Sequence, residues 1–226
     1  MRSAEVVMAF TALMYAKVGA FAPHWKRSFS SNRMALTALP TIEQLSKGPF
    51  MKQVSHASEI VPLLSMEENE ELSAMLQAQL SHSDGIRGFF VNYLTGEGYT
   101  AADAAGVPPP LMSAIKTVSD RKDLISLACM NVIMPTAMST MHTDGSLQQS
   151  SAKTAQRGIK VLNYLATLSP EEVKHFCEAI TAAAARDDES DDDDAKVLYW
   201  TKFFANYGYE AQQRQDILSA IGSINC

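Results

Sequence analysis

Apolar residues recur at helical spacing through the middle of the chain, most densely between residues 84 and 94. The large ones share one face of a predicted helix, at i, i+3, i+4, i+7 and i+8: Ile86, Phe89, Phe90, Tyr93 and Leu94. Asp84 is expected to cap this helix and Gly96 to end it. The pattern predicts a core helix that its neighbours cover.

Further helices are predicted on both sides of this block. The sequence Ser65–Glu68 reads as a capping box for a helix over about 66–82, and Ser169-Pro170 begins another that runs to about 186. The remaining ones are expected over about 110–118, 147–167, 195–207 and 210–221. Residues 120–135 are apolar nearly all round, which predicts a central buried helix, ended or kinked at Pro135.

No segment shows sustained period-two alternation, so the predicted class is all-α, a compact bundle of about six to eight helices. Residues 43–57 lack strong periodicity and are expected to form a flexible lead-in. A single helical domain is then predicted over 58–226. It is interrupted by an acidic loop at 187–194, whose carboxylates repel one another.

The charge is unevenly distributed along the chain. Of the 19 basic and 25 acidic residues, five basic and one acidic residue lie in 1–42, which leaves 14 basic and 24 acidic residues and a formal charge of −10 from residue 43 onward. An acidic surface repels phosphate backbones, so nucleic acid is not an expected partner of the mature protein.

Cysteine and histidine usage suggests neither a disulfide scaffold nor a metal site. Cys129, Cys177 and Cys226 are few and scattered, and whether they have a redox role stays open. The histidines after residue 42 are expected to be surface or hydrogen-bonded residues, because none has a ligand partner at helical spacing: His56, His82, His142 and His175. No metal and no cofactor is predicted.

The first 42 residues have the composition of a targeting sequence. After Arg2 comes an apolar run from Val6 to Ala16 and then Val18-Gly19-Ala20, which predicts a signal peptide over 1–20. Residues 21–42 begin with Phe21, contain basic and hydroxyl residues and lack acids, which predicts a transit peptide.

Together, the cleavage site at Ala20, the following Phe21 and the acid-free tail resemble the bipartite plastid presequence of diatoms and related secondary-plastid algae. The resemblance implies a plastid location, in the stroma or at the stromal thylakoid surface. The alternative is a secreted protein with a basic N-terminus. Residues 43–226 resemble no family that we recognise. They contain no predicted transmembrane segment, which argues against a light-harvesting antenna subunit.

Motifs for phosphate loops, dinucleotide folds and serine hydrolases are absent from the sequence. The strongest indication of a ligand is Arg87 between Gly85 and Gly88 at a helix start, with Asn92 and Tyr93 further along. Helix packing explains the glycine pair equally well.

The sequence therefore favours a soluble helical plastid protein that acts through protein–protein contact, as an assembly factor or peripheral subunit of a photosynthetic complex. The aromatic C-terminal helices offer anchors for a partner, unless they belong to the core. The alternative is a small-molecule-binding protein or an enzyme with a site near Arg87, Asn92 and Tyr93. Whether the protein is an enzyme is left open, with non-catalytic function favoured.

Overall fold

The computed structural model describes residues 39–118, 120–186 and 194–225, and these form helices and connecting turns without a strand. The all-α prediction is confirmed. The predicted signal peptide, residues 21–38 of the predicted transit peptide, residues 187–193 of the predicted acidic loop and Cys226 lie outside the described residues, whereas residues 39–42 are described. A compact unit begins at Leu39.

Eleven α-helices are described, more than the predicted six to eight: α1 (Ile42–Leu45), α2 (Phe50–Ile60), α3 (Glu70–Gln79), α4 (Ser83–Thr95), α5 (Thr100–Asp103), α6 (Pro109–Thr117), α7 (Lys122–Met141), α8 (Gly145–Leu168), α9 (Pro170–Ala184), α10 (Ala195–Asn206) and α11 (Ala211–Gly222). A 3-10 turn, Val61–Leu63, follows α2. The excess over the prediction comes from α1 and α2 and from the single turn α5.

Helix α7 is the centre of the bundle and contacts α4, α8, α9 and α11. Its residues are apolar nearly all round because neighbours cover it on several sides. Among the described helices it alone has the length and apolar composition to cross a membrane, and 67% of that window is buried inside the fold. The prediction of a central buried helix is confirmed.

Pro135 does not end α7, which continues to Met141. A proline cannot donate to the carbonyl four residues earlier, here that of Asn131. Gly158 of α8 packs against this carbonyl so closely that an added Cβ would lie 2.9 Å from the oxygen. Helix α7 thus continues past Pro135, where helix propensity alone would end it, and α8 packs closely against it at this point.

Helices α2 and α4 cross closely at Gly88, where an added Cβ would lie 2.6 Å from the backbone carbon of Gln53. At Gly85 an added Cβ would lie 1.8 Å from the carbonyl oxygen of Gln79, the last residue of α3. Close helix packing therefore accounts for Gly85 and Gly88, which agrees with the packing interpretation given for this pair from the sequence.

The segment 43–57 is not the flexible lead-in that its weak periodicity suggested. It contains most of α1 and most of α2, and Leu45, Gln53 and Ala57 are fully buried. Gln53 holds the connection, since its Nε2 donates to the carbonyls of Gln44 at 3.0 Å and Lys47 at 2.8 Å. A buried glutamine stabilises this region, which is why a search for apolar periodicity missed it.

Two predicted helix starts were also wrong. Helix α3 begins at Glu70 rather than near 66, because Asn69 caps it: its Oδ1 accepts from the Leu72 N–H at 2.9 Å. The Ser65 hydroxyl oxygen accepts from the Glu67 N–H, which is a contact within the preceding turn. Helix α4 is capped by His82 rather than by Asp84. In both cases a second capping residue within four positions competed for the helix start.

Three of the aromatic residues of α10 belong to the core. Trp200, Phe203 and Phe204 are at most 1% exposed, so they are not free anchors for a partner. Asp194, the last residue of the acidic run, caps this helix, with Oδ1 accepting from the Lys196 N–H at 2.7 Å. The starts of α10 and α11 agree with the predicted ones within a residue.

Candidate functional site

Arg87 lies on the first half of α4, and its side chain is 14% exposed. Its Nη1 is 3.2 Å from Asp84 Oδ1, and its guanidinium carbon lies 4.8 Å from the centre of the Phe50 ring. The guanidinium thus joins the α4 start to α2 through a charge pair and a cation–π contact.

Asn92 and Tyr93 follow Arg87 by about one and a half helical turns and make different contacts. Asn92 Nδ2 donates to the Val54 carbonyl at 2.9 Å, which ties α4 to α2. Tyr93 is 1% exposed and stacks on Phe89 with ring centres 5.1 Å apart. Burial raises the pKa of its hydroxyl, which outweighs the opposing effect of Arg157. The three residues share a helix, and each has a packing role on it.

The polar centre of the fold lies around a residue that the sequence prediction omitted, Arg157 of α8. Its side chain is only 2% exposed. Nη1 donates to the carbonyls of Leu94 at 2.9 Å, Gly96 at 2.8 Å and Tyr93 at 3.3 Å, the carbonyls that the end of α4 leaves without helical donors. The buried guanidinium thereby completes the C-terminus of α4.

Asp103, the last residue of α5, neutralises this arginine. Its Oδ1 accepts from Arg157 Nε at 2.8 Å and lies 2.7 Å from Nη2, while Oδ2 lies 2.8 Å from Lys153 Nζ. Lys160 Nζ donates to the carbonyls of Ala102 at 2.6 Å and Ala104 at 2.7 Å. Three cations of α8 therefore hold the ends of α4 and α5, and we call Lys153, Arg157, Lys160 and Asp103 the polar joint.

Burial and the neighbouring charges together shift the pKa values of two groups in the polar joint. Burial acts to raise the pKa of Asp103, but hydrogen bonds from Lys153 and Arg157 outweigh it and leave this pKa below its ordinary value. Burial lowers the pKa of Lys160, although Asp103 opposes that shift. Asp103 is thus held ionised beside two cations.

A sequence signal for the polar joint did exist. Lys153, Arg157 and Lys160 lie at i, i+4 and i+7, one face of a helix, and Asp103 lies in the break between two predicted helices. What the sequence lacks is any link between positions 54 residues apart. Basic residues along one face usually mark a solvated surface, so burial was not apparent.

Other reactive side chains are dispersed over the described chain. No group of three His, Cys, Asp or Glu side chains among these residues is placed to hold a metal ion. Cys129 and Cys177 are buried thiols without a disulfide. His82 has both ring nitrogens engaged with backbone atoms, as expected for a hydrogen-bonded histidine.

An open groove of about 490 Å³ lies between α9 and the end of α11. Cys177 and Thr181 line one side and Ile221 and Ile224 the other, with Lys174 and Glu178 also present. Its lining is mostly apolar, and it includes none of Arg87, Asn92 and Tyr93.

The described residues thus define an all-helical protein whose buried charges fix helix ends. Residues 50–224 match the family described as uncharacterised conserved protein UCP020893, so the chain belongs to that family. No curated protein and no solved structure shows significant similarity to the chain. The match begins at the first residue of α2 and extends past α11.

Proposed function

We propose that this protein acts by contact with another protein in a secondary plastid, as an assembly factor or peripheral subunit of a photosynthetic complex. The observation that carries the contact is the placement of exposed large apolar side chains. Of the six among the described residues, five lie between residues 39 and 66: Leu39 and Ile42 at the end of the predicted transit peptide, and Met51, Leu63 and Met66 after it. The proposed surface of the mature protein therefore consists of Met51, Leu63 and Met66.

The five side chains are exposed by 45% to 61%, and Met51 is the most exposed. Single exposed apolar residues are ordinary on a protein surface, but their concentration in one short stretch favours a binding surface. Methionine suits such a surface because its unbranched, polarisable side chain adapts to a partner.

The plastid location rests on the resemblance of residues 1–42 to a bipartite presequence. A fusion of these residues to a fluorescent protein, expressed in a diatom, should accumulate inside the plastid. Fluorescence retained in the secretory pathway or released from the cell would refute this location, and it would leave the contact proposal intact.

The alternative of a ligand site near Arg87, Asn92 and Tyr93 gains no support from their surroundings, since these side chains contact α2, Phe89 and Asp84. A metabolite screen with the purified chain becomes the next step if no protein partner is found.

The contact is tested by affinity purification of the C-terminally tagged full chain from its own cells, with native gels and mass spectrometry. The test variant is Met51→Gln with Met66→Gln. The matched control is Met141→Gln, because Met141 is 42% exposed but lies at the end of α7.

We expect the unsubstituted chain and the Met141 variant to migrate with the same photosynthetic complex, and the double variant to migrate alone with an unchanged unfolding temperature. An unsubstituted chain that migrates alone would refute the proposal. Equal capture by the double variant would refute the assignment of the surface.

A further inference from the structure

His82 joins the end of one helix to the start of another. Its Nε2 lies 2.9 Å from the carbonyl oxygen of Leu45, the last residue of α1, and its Nδ1 lies 3.3 Å from the backbone N–H of Gly85 in the first turn of α4. Both backbone groups belong to helix ends, where regular helical partners are lacking.

Only one state of the imidazole satisfies both contacts. A carbonyl oxygen can only accept, so Nε2 must carry a proton, and a backbone N–H can only donate, so Nδ1 must be bare. This is the neutral Nε2–H tautomer. A proton on Nδ1 would place two donors against each other, beside the positive end of the α4 dipole.

The ring fits here because residue 85 is glycine. A Cβ at Gly85 would lie 2.8 Å from His82 Nε2 and 1.8 Å from the Gln79 carbonyl oxygen. The end of α3 therefore packs closely at the same point as the start of α4. The imidazole of His82 therefore occupies space that a side chain at residue 85 would otherwise fill.

The charged and titratable groups on the elements packed around this joint are Glu43 and Lys47 at α1, Lys52, His56 and Glu59 on α2, Glu70 and Glu71 on α3, and Asp84, Arg87 and Tyr93 on α4. Glu43 pairs with Lys47 at 2.7 Å and Asp84 with Arg87 at 3.2 Å. Neither acid hydrogen-bonds to the ring. His56 is the other imidazole on these elements and serves as the control.

We propose that His82 is a pH-sensitive latch between the end of α1 and the start of α4, closed while Nδ1 is unprotonated. Acidification removes the acceptor for the Gly85 N–H and loosens the first turn of α4. The hydrogen bond from Nε2 to the Leu45 carbonyl does not depend on the protonation of Nδ1. Acidification therefore breaks only the cap, the hydrogen bond from the Gly85 N–H to Nδ1. The latch is independent of the proposed protein contact.

The test is hydrogen exchange followed by mass spectrometry on the full chain between about pH 8 and about pH 5, the range in which imidazole changes charge. After correction for intrinsic exchange rates, protection in the first turn of α4 should fall about fivefold on acidification, the effect of losing a typical cap. The end of α6 should serve as an internal reference without this change.

Two variants decide the cause. Asn is a good cap without a titrating ring, so His82→Asn should hold protection of the α4 start constant across this range. His56→Gln should retain the full response. An unchanged response in His82→Asn, or a response lost in His56→Gln, would refute the latch.

A measurement on the unsubstituted chain covers the case in which His82→Asn fails to fold. Nitrogen-15 chemical shifts of the imidazole at about pH 8 distinguish the two neutral tautomers. The latch requires the Nε2–H form for His82. Observation of the Nδ1–H form would overturn the proposal.

Discussion

Arg157 of the polar joint and the aromatic cluster on α10 are both buried, yet they differ in how far their polar atoms are hydrogen-bonded. Arg157 directs Nε to Asp103 and Nη1 to the carbonyls that end α4, and its Nη2 lies 2.7 Å from Asp103 Oδ1 without the alignment of a hydrogen bond. In the cluster of Trp200, Phe203, Phe204 and Tyr209, the indole N–H and the Tyr209 hydroxyl have no hydrogen-bond partner among the described residues.

The difference separates two contributions to the fold. The cluster contributes apolar area and tight ring contacts, such as the 5.3 Å edge-on approach of Trp200 to Phe203. The polar joint adds less apolar burial but fixes direction, because a planar guanidinium accepts only a few arrangements of its partners. Burial of apolar side chains thus stabilises the packing of α10, whereas the geometry of the hydrogen bonds to Arg157 fixes the orientation of α4, α5 and α8.

The largest expected loss comes from the aromatic cluster. Phe203 is fully buried, so Phe203→Ala should lower the free energy of unfolding by about 3–5 kcal/mol through lost burial and a cavity. Urea denaturation followed by circular dichroism measures it. Leu63→Ala, at a side chain 48% exposed, is the control and should change stability by less than about 0.5 kcal/mol. A loss below about 1 kcal/mol for Phe203→Ala would mean that the cluster is not close-packed.

Arg157→Met should lower the free energy of unfolding by roughly 3 kcal/mol, because it leaves the carbonyls that end α4 without their donor and Asp103 with only the exposed Lys153. Lys153→Met removes the exposed partner of the same carboxylate and should cost under about 1 kcal/mol. Equal losses in the two variants under urea denaturation would contradict the assignment of the buried arginine as the organising group.

Two tyrosines offer a comparison of opposite sign. Tyr209→Phe removes a buried hydroxyl without a partner and should leave stability unchanged or raise it by up to about 1 kcal/mol. Tyr164→Phe removes a hydroxyl that donates to the Met112 carbonyl at 3.1 Å and should lower stability by about 1 kcal/mol. In thermal unfolding, the melting temperature of Tyr164→Phe should lie below that of the unsubstituted chain. The melting temperature of Tyr209→Phe should equal or exceed it.

The smallest effect concerns acid. The folded pKa of Asp103 is below its ordinary value, because hydrogen bonds from Lys153 and Arg157 outweigh its desolvation, so the stability it contributes is present above the unfolded pKa of about 3.9 and is lost as pH falls through the folded pKa. Because the carboxylate is 36% exposed, solvent screening should keep this contribution below about 1 kcal/mol.

The measurement is the stability difference between the unsubstituted chain and Asp103→Asn, which should shrink between about pH 5 and about pH 3. Glu43→Gln removes an exposed acid paired with Lys47 and is the surface control. A difference for Asp103→Asn that stays constant over this range would show that ionisation of Asp103 does not stabilise the fold.

The sequence by itself determined the helical class and most helix positions. Phe89, Phe90 and Tyr93 are buried on the predicted face of α4, and Pro170 lies at the predicted helix start, where a missing N–H costs nothing. These features are local, because helical periodicity and caps depend on residues within one or two turns.

Only the tertiary structure decided the partners of polar residues. Arg157 contacts Asp103 and the end of α4, and Gln53 orders the segment expected to be a lead-in. His82 caps α4 in place of Asp84 through the Gly85 N–H and also contacts Leu45. A buried polar side chain is stabilised by whichever backbone group the packing brings to it, and a one-dimensional pattern does not specify that group.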